Sequence, residues 1–298
     1  MTAHKPPILF NRKRLRARKD RIAKNFSQFG FLHHTAAYAL LDRLDDHTHA
    51  FERCLDLGSH DGYLALQLAA DNDRFVIAAN LSERFAGQCI GKDIPSVVFD
   101  EEAACFAPQS FDLVTSALSL HWANDLPGSL VQIRNMLKPD GLLLAALFGG
   151  GTLTELRSCL LQAESELTSG AAQRISPLPG LQDMAGLLQR AGFALPVADI
   201  DRLTVRYDTM FHLLADLKGM GECSAFQQAA PPLTKGVLYR AAELYAEQHS
   251  DPDGRIRASF NIIYIAGWAP AASQPKPLRP GSAKVRLAEA LNTKEIKF

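Results

Sequence analysis

At 298 residues, 47% hydrophobic and 21% charged, the chain can bury one large core or two and has the balance of an ordinary globular protein. Lys plus Arg and Asp plus Glu both number 32, so no global field selects a polyanion, and with no aromatic–basic stripe nucleic-acid binding is set aside. No apolar run reaches the length of a membrane span, and five scattered cysteines, none in a C-x-x-C spacing, point to reduced thiols in a reducing compartment rather than to a zinc site.

The first feature along the chain is charge. Residues 12–24 hold Arg12, Lys13, Arg14, Arg16, Arg18, Lys19, Arg21 and Lys24 against Asp20 alone. Such a run is either a solvated helix face or an electrostatic contact with an acidic partner or an anionic membrane surface. Its Arg-rich, acid-poor make-up also suits a mitochondrial presequence. It follows Lys5-Pro6-Pro7, however, and helical apolar spacing continues through Ile22, Phe26 and Phe29, so we read it as mature protein. Residues 1–50 are expected to form a basic helical extension, with a second helix near 35–45.

From residue 51 strands and helices alternate. Phe51 to Gly58 is a short apolar strand ending in an acid and a glycine, and Gly62 to Ala70 has helical spacing. A second strand spans Arg74 to Ala79, with Ser82 placed to cap the next helix. Val97 to Asp100 is a third, and Phe111 to Thr115 a fourth, followed by a helix over Leu126–Leu137. Lys138-Pro139-Asp140-Gly141 reads as a turn into a fifth buried strand, Leu142–Phe148. Five strands separated by helices imply right-handed crossovers and a mainly parallel, doubly wound α/β sheet. Beyond it we expect a helix from Thr152, another over 181–191 stopped by Gly192, and strands near 197–206 and 256–268 that finish the sheet. Helical insertions are expected at about 151–180 and 208–250, the two helices of the second sitting over the open edge of the sheet. The sheet domain then covers 51–270, and the Pro-, Ser- and Lys-rich stretch 271–298 reads as a flexible tail.

In such a sheet ligands bind at the carboxyl ends of the strands, beside the first strand. That strand ends Asp56-Leu57-Gly58-Ser59-His60-Asp61-Gly62, which resembles the D-x-G-x-G-x-G turn of class I S-adenosylmethionine (SAM)-dependent methyltransferases. Glycines let the backbone approach a ligand, and the helix N-terminus offers unpaired N–H groups. The second strand ends at Asn80-Leu81, where that fold places an acid for the ribose hydroxyls. Asp100 and Glu101 follow the third, where an acid meets the adenine amino group. Leu118 lies past the fourth. We therefore take Asp56, Gly58, His60, Gly62, Asn80, Leu81, Asp100, Glu101 and Leu118 as cofactor residues. Two depart from the pattern. His60 stands where the middle glycine belongs, and Asn80 replaces the acid, giving up the stronger charged acceptor.

The resemblance is narrower than the fold. Ser116-Ala117-Leu118-Ser119-Leu120-His121-Trp122-Ala123-Asn124-Asp125-Leu126-Pro127, Leu147 through Gly149-Gly150-Gly151 to Arg157, Ile175-Ser176-Pro177 and Leu188 to Phe193 resemble the family of the mitochondrial complex I assembly factor with a methyltransferase fold. So do Met210-Phe211, Asp216-Leu217-Lys218-Gly219-Met220-Gly221-Glu222 and Ile263 to Trp268. The likeness runs from about residue 8 to 290. Its sheet motifs and His-Trp element are partly shared with the malonyl-carrier-protein methyltransferase of biotin synthesis. The resemblance implies a SAM-dependent fold that hydroxylates an arginine in the quinone-site, iron–sulfur-carrying subunit of respiratory complex I. Hydroxylation cannot be derived from the residues themselves. No 2-His-1-carboxylate spacing falls on a plausible strand pair, and His47-Thr48-His49 lies in a polar linker, so no metal ligand is assigned.

On the substrate side, His121 follows the fourth strand and could orient or deprotonate a polar group, with Trp122 beside it for packing or stacking. Glu155 and Arg157 follow the fifth; a carboxylate there could grip a guanidinium bidentately. We take His121 and Glu155 as catalytic candidates and Trp122 and Arg157 as substrate contacts. Two other readings stay open: an ordinary methyltransferase acting on a small acid or carrier protein, and a non-catalytic assembly chaperone with a worn cofactor turn. The compartment expected is a bacterial cytoplasm, at most peripheral to the inner membrane, or the mitochondrial matrix in a eukaryote.

Overall fold

The alternation of apolar runs from residue 51 produces β1 (Arg53–Leu57), β2 (Phe75–Asn80), β3 (Ser96–Val98), β4 (Phe111–Ala117) and β5 (Leu137–Phe148), all parallel. The computed structural model describes residues 8–71, 73–103 and 105–275, with 285, 289 and 293 beyond them. Most of the tail expected from residue 271 lies outside those residues. Two long strands complete the sheet. β7 (Ile256–Trp268) runs antiparallel between β5 and β6 (Ala194–Tyr207), giving the order β3-β2-β1-β4-β5-β7-β6. Strand order reverses beside β1, so a crevice opens at the carboxyl ends of β1 and β4.

Helices cover both faces. α2 (Phe31–Asp45), α3 (Tyr63–Ala69), α6 (Thr154–Leu167), α8 (Met210–Met220) and α9 (Lys235–His249) share one core with Cys54, Leu113, Leu142 and Leu144 of the sheet. α5 (Leu126–Met136) and α7 (Leu181–Arg190) lie on the other, against Leu55, Val114 and Leu143. Successive strand residues thus feed opposite cores, as the two-residue period requires. α4 (Glu83–Ile90) starts at Ser82, whose hydroxyl accepts from the Phe85 N–H.

Several expectations need correction. The helices of 208–250 lie across a sheet face rather than over its edge, because Ile256, Ala258, Phe260 and Ile262 of β7 all turn buried side chains to be covered. Lys138 to Gly141 is taken into β5 as an irregularity with Asp140 at φ 62°, and the β4–β5 register shifts there. α6 begins at Thr154, two residues late, because Gly151 and Leu153 both adopt positive φ. The basic segment forms α1 (Arg12–Ile22) and a 3₁₀ turn at Ala23–Gln28. Its Leu15 and Phe26 are fully buried, so it is packed onto the fold rather than extended from it.

Candidate active site

The turn after β1 is shaped by its backbone. Gly58 has φ 68°, and a Cβ there would lie 2.1 Å from Ser119 Oγ, so both conformation and space exclude a side chain. The Gly58 and Ser59 N–H groups donate to Ala79 O, and the His60 N–H donates to Asn80 Oδ1 at 2.8 Å. His60 takes φ 50° in place of the glycine, and its ring stacks on Phe26 at 5.3 Å, 4% exposed. The two departures from the motif are therefore coupled: Asn80 holds the backbone of the residue that lost its glycine.

Asp56 lies wholly buried beneath this turn. Its Oδ1 accepts from the Thr115 hydroxyl at 3.0 Å, while Oδ2 has no partner. Burial pushes its pKa up to about 7. The open space left among Asp56, Gly58, Ser59, His60 and His33 is about 10 Å³, room for about one water molecule.

The rest of the crevice holds charge from the N-terminal helix. The Arg12 guanidinium donates to Asp100 Oδ1 at 2.6 Å, to Glu101 Oε2, and to Trp122 O at 3.2 Å. Glu101 Oε1 also accepts from the Ser119 hydroxyl at 2.8 Å. Lys19, 5% exposed, places Nζ 3.4 Å from Ser119 Oγ and 3.5 Å from His60 Nε2. Burial works against the Arg12 charge, but Glu101 and Asp100 outweigh it and raise its pKa. Burial likewise opposes the Glu101 carboxylate, and Arg12 and Lys19 outweigh it and lower its pKa. For Lys19 burial prevails and the pKa falls. Leu81 is buried with Phe10, Leu15 and Trp122, and Leu118 in the core beneath the sheet.

A second space of about 250 Å³ adjoins the carboxyl ends of β4 and β5, between α6 and α8. Its walls are mainly apolar, with Phe148, Leu156, Leu217 and Phe260 prominent; one end carries His121 and Glu222, and Arg174, its charge paired with Glu164, also lines the space. Glu222 was not anticipated as a site residue. Gly221 ends α8 in the left-handed region at φ 82°, which turns the next side chain inward. Glu222 Oε2 lies 3.1 Å from His121 Nε2, and Oε1 lies 3.4 Å from Trp122 Nε1 and 3.6 Å from His33 Nε2, with 7% of the side chain exposed. Burial would raise this carboxyl, but His121 and His33 outweigh it and hold it well below the usual range. Burial pushes the His33 pKa down, so that ring is neutral at neutral pH. An anion therefore stands at the end of an apolar cavity, where a cationic partner interacts strongly.

The structure brings His121 and Trp122 to this cavity and leaves Glu155 and Arg157 off its wall. Glu155 accepts from the Ser259 N–H at 3.3 Å and the Ser259 hydroxyl at 2.5 Å, bracing α6 onto β7. Arg157 is exposed and donates to Ser176 O at 3.5 Å. Two positions apart on a helix, they face different ways. His47 and His49 lie against Trp268, away from the crevice. Among the described residues no group of three or more His, Cys, Asp or Glu is placed to hold a metal ion, and no helix is long and apolar enough to cross a membrane.

Comparison with known proteins accords with this topology. A methyltransferase-domain family model matches residues 55–145. The mitochondrial arginine-hydroxylase NDUFAF5 of Mus musculus is 37% identical over 292 residues, 97% of this chain and 85% of that protein. The malonyl-[acyl-carrier protein] O-methyltransferase of Laribacter hongkongensis is 30% identical over 288 residues, 91% of this chain and 94% of that protein. Among solved structures, phosphoethanolamine N-methyltransferase 2 of Haemonchus contortus, in complex with S-adenosyl-L-methionine, superposes with a TM-score of 0.55 at 18% identity, covering 86% of this chain and 60% of that one. The fold is that of class I SAM-dependent methyltransferases.

Proposed function

The chain belongs to the NDUFAF5 arginine-hydroxylase family, and from that premise we propose that it is a SAM-fold enzyme that hydroxylates an arginine side chain of the quinone-site, iron–sulfur-carrying subunit of respiratory complex I during assembly. The observation that carries the reading is Glu222. An arginine side chain is an apolar stem ending in a planar cation, and the cavity is an apolar passage ending in a buried carboxylate. Phe148, Leu156 and Leu217 would contact the stem, Glu222 would receive the guanidinium, and His121 would orient Glu222 through Nε2. Glu155 serves as a brace.

Replacing C–H by C–OH with dioxygen consumes two further electrons and two protons and releases water, so the reaction requires an electron donor that the residues at this site do not supply. Their part is to bind, orient and exclude water.

The polar groups fit SAM. Asp56 Oδ2 is a buried acceptor without a donor, suited to an ammonium, and Asp100 and Glu101 are acceptors for hydroxyl and amino groups. Asn80 is engaged by His60 N–H and contributes through the turn it holds. Arg12 engages Asp100 and Glu101 and Lys19 lies against Ser119 and His60, so binding at those acceptors requires the two basic side chains to move. When bound, the cofactor would supply a sulfonium carrying a transferable methyl group.

The scattered free cysteines suit a reducing compartment, a bacterial cytoplasm or a mitochondrial matrix. Exposed Lys13, Arg21 and Lys24 give α1 and the turn after it a basic outer face suited to an anionic membrane surface, which salt-sensitive sedimentation with anionic vesicles would test.

The test is mass spectrometry of the target subunit from cells with the wild-type protein, without it, and with Glu222→Gln. The expected result is an arginine carrying one added oxygen that disappears in the second case and falls at least tenfold in the third, since a hydrogen bond to a charged group contributes about 1.5–3 kcal/mol. An added methyl group instead would favour the ordinary methyltransferase. An unmodified arginine throughout would leave the assembly chaperone.

A further inference from the structure

α1 is joined to two sites at once. Arg12 and Lys19 lie seven residues apart, two helical turns, and so share one face, which is turned onto Asp100, Glu101 and Ser119. A lysine with 5% exposure is costly to bury, and its compensation here is the Ser119–Glu101 pair. The flank of the same helix grips residues 223–227. Arg18 donates to Ser224 O at 2.6 Å and to Cys223 O, and Arg14 donates to Phe226 O at 2.8 Å. Just before the helix, Asn11 N–H donates to Ala225 O and Gln227 N–H donates to Leu9 O. That strap begins immediately after Glu222, and Cys223 and Ser224 line the cavity with it. α1 thus touches both the cradle and the strap at the end of the cavity.

We propose that α1 is an internal occupant of the cofactor cradle: Arg12 and Lys19 hold Asp100, Glu101 and Ser119 in the free protein, binding of SAM expels them, and their departure loosens residues 223–227 so that the end of the cavity opens around Glu222. The proposal rests on the cofactor reading above and adds an order of events, in which the end of the arginine cavity opens further once the cradle is filled. If the closed arrangement holds about nine-tenths of the free molecules, the apparent cofactor affinity is about tenfold weaker than the intrinsic one.

Hydrogen exchange of the full-length protein with and without SAM decides the matter, and needs no substitution. An expelled helix predicts faster exchange over residues 9–22 and 223–227 when SAM is bound. A helix that merely covers the bound cofactor predicts slower exchange over the same amides, and slower or unchanged exchange in the presence of bound SAM overturns the proposal. Calorimetric titration of Arg12→Gln and Lys19→Met supplies the second measurement, with about tenfold tighter SAM binding expected. Equal affinity for wild type and both folded variants overturns the occupant alone. No binding to any of them overturns the cofactor reading and the proposal together.

Discussion

Asp56 offers a test of the cradle's electrostatics that needs neither cofactor nor substrate. Its carboxyl is fully buried, and burial raises its pKa to about 7, against about 3.9 for an unfolded chain. Between those values the folded protein keeps a proton that the unfolded chain has released, so stability falls as pH rises through the window and levels off above it. At about 1.4 kcal/mol per pH unit, the loss accumulated between about pH 5 and about pH 8 is roughly 2.5 kcal/mol. Asp56→Asn keeps the shape and removes the titration. Its stability relative to wild type should therefore rise by about 2.5 kcal/mol over that range, whatever its offset at pH 5. Urea unfolding followed by circular dichroism at half-unit pH steps measures the difference directly. Parallel stability curves for the two proteins would refute the argument, because they would mean that Asp56 titrates alike in the folded and unfolded states.

Other expectations follow from neighbouring contacts. Gly58→Ala should cost about 2–4 kcal/mol through its positive φ and the collision with Ser119; adding Ser119→Gly should restore the steric part, as seen in thermal unfolding. Ser259→Ala, which keeps the backbone N–H bond, should lose about 1 kcal/mol, Glu155→Ala should lose about 1–2 kcal/mol, and the double variant should lose little more than Glu155→Ala alone, as read by urea unfolding. Once folded, Glu155→Ala should still hydroxylate its target arginine; loss of hydroxylation with normal stability would return Glu155 to the catalytic set. Glu222→Gln should lose arginine modification and also roughly 1.5–3 kcal/mol of stability at neutral pH, since the carboxylate that His121 and His33 hold ionised becomes a neutral amide; modification lost well below the unfolding temperature, measured by thermal unfolding, separates the two effects.

The parallel sheet was legible because its strands are apolar runs closed by Gly, Asn, Asp or Ser, and all but the third are followed by helical spacing. The coupling of Asn80 to His60 was not, although both departures were visible: a hydrogen bond that repairs one substitution with another depends on distance, which spacing along the chain does not encode. The basic run was equally visible, and what remained hidden was its direction. Arg12, Arg18 and Lys19 look like their exposed neighbours in sequence and differ only in the acids and carbonyls that the rest of the fold presents to them. Glu222 had a local signal, an acid directly after a glycine that ends an apolar helix, but the partners that give it meaning come from residues 33, 121 and 122. Sites assembled from distant segments are the part of a structure that local pattern least reveals.

The placement of β7 between β5 and β6 has a consequence for how the chain is made. β5 finds its second neighbour only when Ile256–Trp268 has been synthesised. At about 5–20 residues per second, the stretch between Phe148 and Trp268 takes roughly 6–24 s to emerge from the ribosome. Throughout that interval the all-apolar segment Leu142–Phe148 presents an unpaired edge to every other nascent chain nearby. Chaperone dependence during synthesis should therefore be set by the distance between these two strands, and a circular permutant that begins at β6 and supplies β7 before β5 should shed it.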